Sequence, residues 1–207
     1  MQPISTVIFD VGNVLFHWDI RCLYSKLIDD PAELDDFLAN VLTRQWHDQH
    51  DAGRPIVDMI NELAAAHPQH EALIRAYEPR WLETIPEPVA DMSDMVELLA
   101  LLGIPVFGIT NFGSDLWRKF RPTEPVFDLF QDLVVSGDEK MTKPDAAIYQ
   151  LAIARFGIDP SAALFIDDQP ANIEGAIACG LQTHLFHDAQ TLYADLVARG
   201  VLANRTV

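Results

Sequence analysis

The chain has 207 residues, of which 49% are hydrophobic, a fraction that suits a packed globular protein and excludes a largely disordered one. Its 31 acidic residues outnumber its 14 basic residues and give a formal net charge of −17. This charge argues against nucleic acid or an anionic membrane as the main partner. No signal peptide is visible and no apolar run approaches the ~20 residues of a membrane span. We therefore expect a cytoplasmic protein, either a monomer or a homodimer.

Short apolar runs recur along the chain and predict the strands of a sheet. The first run, residues 4–9, stops at Asp10. Comparable runs occupy residues 104–110, 133–135, 163–166 and 183–186. Each run is continuous rather than alternating, which is typical of strands buried on both faces of a parallel sheet.

Helical patterns alternate with these runs. Residues 89–102 carry apolar positions at helical spacing, and residues 144–156 and 170–179 each begin with a proline that suits the first helical position. A glycine follows each of the three segments directly, at residues 103, 157 and 180. The alternation predicts an α/β fold, a three-layer, Rossmann-like core around a parallel sheet.

The stretch from 17 to 87 breaks this alternation. It contains no convincing strand and predicts helices at about 20–29, 31–42, 56–66 and 69–81, separated by prolines. We predict that residues 17–87 form a helical cap domain. The α/β core would then consist of residues 1–16 and 88–207.

Polar side chains follow several predicted strands or open the helices beyond them. In open α/β sheets ligands bind beyond the carboxyl ends of the strands, so these groups are expected to converge. Together they provide a carboxylate nucleophile, ligands for a hard cation, donors for phosphate oxygens and a positive charge, which suits phosphoryl transfer. The residues are Asp10, Thr110, Asn111, Lys143, Asp167 and Asp168.

These residues belong to segments that resemble known motifs. The run VIFDVGNVL at 7–15, Thr110-Asn111, Lys143-Pro144 and FIDD at 165–168 resemble, in order and spacing, the four motifs of the haloacid dehalogenase superfamily. The helical insert after the first motif resembles the caps of its dehalogenase, β-phosphoglucomutase and epoxide-hydrolase-associated phosphatase branch. Residues 9–14 and 167–176 are most similar to bacterial α-D-glucose-1-phosphate phosphatases.

The resemblance implies a Mg²⁺-dependent hydrolase that acts on a small phosphorylated metabolite. Asp10 would attack phosphorus and form an aspartyl-phosphate. Asp10, the carbonyl of Gly12 and Asp168 would bind Mg²⁺, with Asp167 in the inner or outer coordination sphere. The remaining roles concern the phosphate: Thr110 and the backbone N–H of Asn111 would hold its oxygens, and Lys143 would neutralise charge.

Gly12 departs from the pattern of most phosphatases in this superfamily. They carry an aspartate two residues after the nucleophile, which serves as general acid and base. Without it, a substrate with an acidic leaving alcohol, such as a sugar-1-phosphate, is favoured. A substitute acid, Asp19 or His17, is the competing expectation.

Two other functions stay open. A 2-haloacid dehalogenase would use the same Asp10 to displace halide, and such enzymes also lack the second aspartate. They do not keep the acidic pair Asp167-Asp168, which favours a phosphatase. A catalytically silent binding protein on this fold is the third hypothesis.

The cap sequence offers further polar candidates. The run His47-Asp48-Gln49-His50-Asp51 resembles a metal cluster, but neighbouring ligands cannot all point one way on a helix, so a polar surface or a substrate contact is expected. We predict His17 and Trp46 as substrate contacts because they lie near the cap hinge or within the cap.

Overall fold

The parallel sheet predicted from the apolar runs forms the centre of the molecule. The computed structural model describes residues 2–203, and within them every pair of neighbouring strands in the five-stranded sheet is parallel. The strand order is β3-β2-β1-β4-β5, with β1 (Thr6–Phe9), β2 (Val106–Thr110), β3 (Asp132–Val135), β4 (Ala163–Asp167) and β5 (Gln182–Leu185). All five predicted runs form strands, and the predicted fold class is confirmed.

Helices connect the strands. Those between β1 and β2 are α1 (Arg21–Tyr24), α2 (Pro31–Asn40), α3 (Arg44–Asp51), α4 (Ile56–Ala66), α5 (Glu71–Arg80) and α6 (Met92–Leu101). The later ones are α7 (Ser114–Phe120), α8 (Ser136–Glu139), α9 (Ala146–Phe156), α10 (Pro170–Ala178) and α11 (Ala189–Ala198). Short 3-10 helices occupy Pro68–His70, Trp81–Thr84, Arg121–Thr123, Pro125–Leu129 and Pro160–Ala162. Within residues 2–203, no helix combines the length and the apolar character needed to cross a membrane.

Helices cover both faces of the sheet, and alternate residues of a strand belong to different apolar clusters. Val7 and Phe9 of β1 belong to the same cluster as Val96 of α6 and Leu196 of α11. Ile8, between them, belongs to the opposite cluster, which includes residues of α9 and α10. The central strands are therefore buried on both sides, as their continuous apolar sequences require.

Several helix ends follow from local sequence. The side chain of Asp30 accepts a hydrogen bond from the Ala32 N–H at the start of α2, and Thr43 caps α3 in the same way. Pro170 occupies the first position of α10, as predicted. Pro144 does not do this for α9: it follows a cis peptide bond, and Asp145 caps a helix that begins at Ala146.

The described part of residues 17–87 contains helices and no strand of the sheet. The helix predicted at about 20–29 ends at Tyr24 and continues as turns. The helix α3 was not predicted, because its sequence RQWHDQHD lacks an apolar stripe. That sequence nevertheless buries Trp46, His47, His50 and Asp51, so the expected polar surface is wrong for most of the run.

The C-terminal end of α3 docks onto the core. Ser136 donates a hydrogen bond from its hydroxyl to the carbonyl oxygen of Asp51 (2.6 Å) and accepts one from the Phe112 N–H (2.9 Å). Gly53 comes so close to α8 that a Cβ atom on it would lie 2.9 Å from the carbonyl oxygen of Gly137. The cap helices and the loops after β2 and β3 thus share one packed joint.

Candidate active site

A cavity of about 580 Å³ lies beyond the carboxyl ends of β1, β2 and β4, between the core and the cap helices. Asp10 follows β1, Asn111 follows β2, and Asp168 follows β4, and all three line this cavity. Lys143 and Gly12 line it as well. Parallel strands bring their carboxyl ends to one edge of the sheet, so residues far apart in sequence meet there.

A buried lysine joins two carboxylates at the floor of the cavity. The Lys143 ammonium nitrogen is 2.8 Å from Asp10 Oδ2 and 2.7 Å from Asp167 Oδ2. The side chains of Lys143 and Asp167 are fully buried and that of Asp10 is 10% exposed. Asp10 and Asp167 occupy equivalent positions on adjacent strands, because Phe9 pairs with Ile166. Their charges would repel each other in this low-dielectric setting without the lysine between them.

Local backbone bonds orient Asp10. Its N–H donates to the carbonyl oxygen of Ile166 (2.9 Å), and its Oδ1 accepts from the Val11 N–H (2.6 Å). The chain then turns through Asn13, whose φ of 57° is in the left-handed region that asparagine tolerates. Asn13 Oδ1 accepts from the Trp18 N–H (3.1 Å) and closes the turn. Asp10 Oδ2 remains directed at Lys143.

Asn111 holds the segment that carries Lys143. Its Oδ1 accepts from the Lys143 N–H (2.8 Å), and its Nδ2 donates to the Lys143 carbonyl oxygen (3.0 Å). These two hydrogen bonds connect the loop after β2 to the loop before α9. The role of Asn111 seen here is therefore to position Lys143, in addition to the phosphate contact predicted for its backbone.

The two acidic residues after β4 differ in their surroundings. Asp167 Oδ1 accepts from the Gln169 N–H (2.8 Å), and both of its carboxylate oxygens accept from Asn172 Nδ2 (2.9 and 3.0 Å). Asp168 is half-buried and accepts from Gln169 Nε2 (2.6 Å). Carboxylate oxygens of Asp10, Asp167 and Asp168 all lie within 4.8 Å of one another. Such a cluster suits a hard divalent cation.

Burial shifts the protonation of this cluster. Desolvation raises the pKa of Asp10 to about 7, although Lys143 opposes the shift. Burial disfavours the charge of Lys143, but Asp10 and Asp167 outweigh it and hold the lysine pKa above its usual value. Burial also raises the pKa of Asp168. A cation bound at the cluster would favour the ionised carboxylates and lower their pKa values.

The rest of the cavity wall has an apolar, mainly aromatic side and a polar side. Its apolar side contains Phe16, Trp18, Trp81, Ile85, Phe112, Leu116 and Phe120. Its polar side, on the cap, contains Arg44, His47, Asp48 and Asp51 of α3. Trp18 links the two, since its ring stacks on His47 (centroids 4.9 Å apart) and lies 5.3 Å from the Arg44 guanidinium.

Four predicted site residues are not among the cavity-lining residues of the described chain. One is Asp167, which is fully buried and bound to Lys143. Thr110 ends β2 and is buried, and its neighbour Asn111 faces the cavity instead. His17 is exposed to solvent. Trp46 packs edge-on against Tyr77 inside the cap, with ring centroids 5.4 Å apart. The substrate contacts predicted for His17 and Trp46 gain no support, because helix α3 turns His47 rather than Trp46 toward the cavity.

A model of the haloacid dehalogenase-like hydrolase family matches residues 4–180. The chain belongs to this family. Its resemblance to α-D-glucose-1-phosphate phosphatases in particular is not reflected in the relatives found. The sesquiterpene phosphatase astK of Aspergillus oryzae is 25% identical over 188 residues, covering 86% of this chain and 87% of that protein.

Solved structures show the same haloacid dehalogenase-like fold. A family enzyme from Bacteroides thetaiotaomicron, in complex with magnesium and inorganic phosphate, has a TM-score of 0.68 at 22% identity and covers 92% of this chain and 99% of its own. The L-2-haloacid dehalogenase of Xanthobacter autotrophicus, with chloropropionic acid covalently bound, has a TM-score of 0.63 at 16% identity, covering 97% and 85%. This fold is therefore shared by an enzyme that binds magnesium and phosphate and by a dehalogenase.

Asn172 and Tyr77, both near the haloacid dehalogenase-like site, were not among the candidates predicted from the sequence. Asn172 donates to both oxygens of Asp167 from the first turn of α10, and its position five residues after Asp167 was the available signal. Asp51 and Tyr77 flank His47 in the cap, where Tyr77 lies 2.7 Å from His47 Nδ1. No sequence signal joins Asp51 to Tyr77, because they belong to separate helices.

We predict that Lys143→Met lowers kcat by about 100-fold or more. The substitution removes the positive charge between Asp10 and Asp167, and a preorganised charge of this kind is commonly worth several kcal/mol in the transition state. Steady-state phosphate release measures the effect. Lys140→Met, at an exposed position nearby, is the control and should stay within threefold of wild type. A Lys143→Met enzyme that also stays within threefold would contradict the prediction.

Proposed function

We propose that this protein hydrolyses a small phosphomonoester through an aspartyl-phosphate on Asp10. The observation that carries the proposal is the Asp10–Lys143–Asp167 arrangement, in which a partly exposed carboxylate faces the cavity while a buried ammonium neutralises it. A nucleophile needs to be ionised and held in place. Lys143 favours the ionised form of Asp10, the Val11 N–H orients its carboxylate, and 10% of the side chain stays exposed.

The reaction consists of two displacements at phosphorus. Asp10 attacks the phosphoryl group, the bond from phosphorus to the ester oxygen breaks, and the alcohol leaves with one proton. Water then attacks the aspartyl-phosphate, which releases inorganic phosphate, one proton and the Asp10 carboxylate. Lys143 offsets the negative charge of the transferring group in both steps.

Mg²⁺ fits the donor set at the end of the sheet. Asp168, the backbone carbonyl of Gly12 and Asp10 would hold it, since hard oxygen ligands and one or two carboxylates suit this ion. Asp167 already accepts bonds from Lys143, Asn172 and Gln169, so we assign it to orienting Lys143. When bound, the ion would stabilise charge on the phosphoryl oxygens. The magnesium and phosphate complex of the Bacteroides enzyme supports this assignment.

The acidic cluster is the observation that favours a phosphatase over a 2-haloacid dehalogenase. Halide displacement from carbon by Asp10 transfers no phosphoryl group and has no use for a cation site. Three carboxylates within 4.8 Å of one another are costly unless positive charge is supplied. A silent binding protein would have no need to keep Asp10, Lys143 and Asp168 together.

A sugar-1-phosphate is the specific substrate that we propose. The resemblance of residues 9–14 and 167–176 to α-D-glucose-1-phosphate phosphatases supports this choice, and Arg44 and Asn13 on the cavity wall offer hydrogen bonds for a sugar. The aromatic side of the cavity supports a second candidate, the monophosphate of an apolar alcohol. The sesquiterpene phosphatase named above is consistent with that second class.

Asp10→Asn should abolish turnover, because a carboxamide cannot form the acyl-phosphate. The change is nearly isosteric and Asn111, Lys143 and Asp167 stay in place, so thermal unfolding should show a folded protein. Phosphate release from 4-nitrophenyl phosphate is the measurement, with Asp29→Asn at an exposed site as control. Retention of a tenth or more of the wild-type kcat would show that Asp10 is not the nucleophile.

Phosphate release should require Mg²⁺ and stop on addition of EDTA. Asp168→Ala should raise the Mg²⁺ concentration needed for half-maximal activity at least tenfold, because loss of a coordinating carboxylate weakens the site. Asp94→Ala, an exposed acid on α6, should leave this concentration unchanged. Full activity in EDTA would point to metal-free chemistry such as dehalogenation.

A panel of phosphate esters decides between the two substrate classes. We expect kcat/KM for glucose-1-phosphate to exceed that for glucose-6-phosphate and for a prenyl monophosphate at least tenfold. Release of inorganic phosphate is followed for each ester with saturating Mg²⁺. A preference for the prenyl ester would assign the aromatic wall, and not Arg44 and Asn13, to substrate recognition.

A further inference from the structure

Gly12 occupies the position at which related phosphatases carry the general acid, and glycine has no side chain to supply one. A Cβ atom built on Gly12 meets no atom within 4 Å, so the space beside Asp10 is open. The substitutes expected from sequence are not available within the described cavity wall. His17 is exposed, and Asp19 is exposed and accepts a hydrogen bond from the Arg21 N–H (2.8 Å).

Asp51 is a carboxyl group on the opposite side of the same cavity. It belongs to α3, is only 5% exposed, and lines the cavity together with Asp10 and Gly12. The Gly113 N–H favours the ionised form of its carboxyl group and lowers its pKa, and His50 of the same helix packs directly on Gly113. Gly113 is two residues beyond Asn111, which holds Lys143, so one short loop links Asp51 to the phosphoryl site.

Within residues 2–203, the basic side chain that lies within 4 Å of the Asp51 carboxylate is His47, whose Nε2 is 3.7 Å from Asp51 Oδ1. Burial lowers the pKa of His47 to about 4, so the imidazole is neutral near pH 7. Tyr77, a phenol on α5 with a pKa raised by burial, shares a hydrogen bond of 2.7 Å with His47 Nδ1.

The charges around Asp51 do not outweigh its burial. Arg44 and His50 on α3 lower its pKa, as does the Gly113 N–H, and Asp48 raises it, but desolvation is larger than each of them and brings the pKa to about 7. Arg44 is committed to Asp48, to which its Nε donates (2.6 Å). A carboxyl group of this kind is protonated in an appreciable fraction of molecules at neutral pH, as a general acid must be.

We propose that Asp51 protonates the leaving oxygen of the ester and so replaces the acid missing at Gly12. The proposal rests on the phosphatase function proposed above. As Asp10 bonds to phosphorus, the ester P–O bond breaks and its electron pair takes the Asp51 proton, which yields the free alcohol and an Asp51 carboxylate. The carboxylate then accepts a proton from the water that attacks the aspartyl-phosphate, and both side chains return to their starting states.

A neighbouring acid provides a comparison within the same helix. Asp48 also lines the cavity, but its side chain is 53% exposed and paired with Arg44. Asp48 therefore lacks the burial that distinguishes Asp51. Asp51→Asn and Asp48→Asn should therefore affect the leaving-group dependence differently, although both residues lie on the cap side of the cavity.

The test is the dependence of log(kcat/KM) on the leaving-group pKa, measured for a series from 4-nitrophenyl phosphate to alkyl phosphates with saturating Mg²⁺. Wild type should show a nearly flat plot. Asp51→Asn keeps an oxygen for the Gly113 N–H but has no proton to donate, so its plot should be steeply negative. It should lose roughly 10²- to 10⁴-fold on alkyl phosphates and stay within about threefold on 4-nitrophenyl phosphate.

Asp58→Asn, at an exposed cap position, should reproduce the wild-type plot. A steep wild-type plot overturns the proposal without any variant, since it means that no acid assists. An equal loss of Asp51→Asn on every ester, or a plot steepened by Asp48→Asn instead, overturns it as well. Turnover of 4-nitrophenyl phosphate in these cases would leave the phosphatase function standing, whereas no turnover of any ester by wild type would overturn both.

Discussion

The buried ammonium of Lys143 is the group on which the arrangement of this site depends. Asp10 and Asp167 end adjacent strands, and their carboxylates face each other where water is nearly absent. One cation 2.8 and 2.7 Å away offsets both charges. Because Lys143 comes from a distant loop, the Asn111 amide that clasps its backbone is needed to keep it there. The sheet brings the two carboxylates together, and the lysine held by Asn111 reduces the repulsion between them.

The overall charge of the chain gives the local cations added importance. A net charge of −17 repels an anionic substrate at long range, and the cationic side chains on the described cavity wall are Lys143 and Arg44. Lys143 is already shared by two carboxylates, so little of its charge is left for a phosphate dianion. A divalent cation held by Asp10 and Asp168 would reverse the local field, which is the electrostatic reason for a metal in this phosphatase proposal.

The cap contributes more than a cover for the cavity. Helix α3 is polar in sequence, yet its docking against Gly113, Ser136 and Gly137 desolvates three of its ionisable groups. Burial holds His47 and His50 toward the neutral form and Asp51 toward the protonated form. The cost of burying them is reduced by the Tyr77 hydroxyl and by backbone donors and acceptors. The docked cap therefore sets the protonation states on its side of the cavity.

The sequence by itself determined the sheet and its catalytic edge. A continuous apolar run that ends abruptly in a polar residue, as at Asp10 or Asp167, marks a buried strand and the place where it meets solvent, and parallel strands bring such ends together. Only the tertiary structure decided the cap. The buried side of α3 is set by its contacts with Tyr77, Gly113 and Ser136, which are far away in sequence. A polar helix has no apolar stripe from which its buried side could be predicted. For this reason Trp46, chosen by its sequence position, packs inside the cap, whereas Asp51 of the same helix faces the cavity.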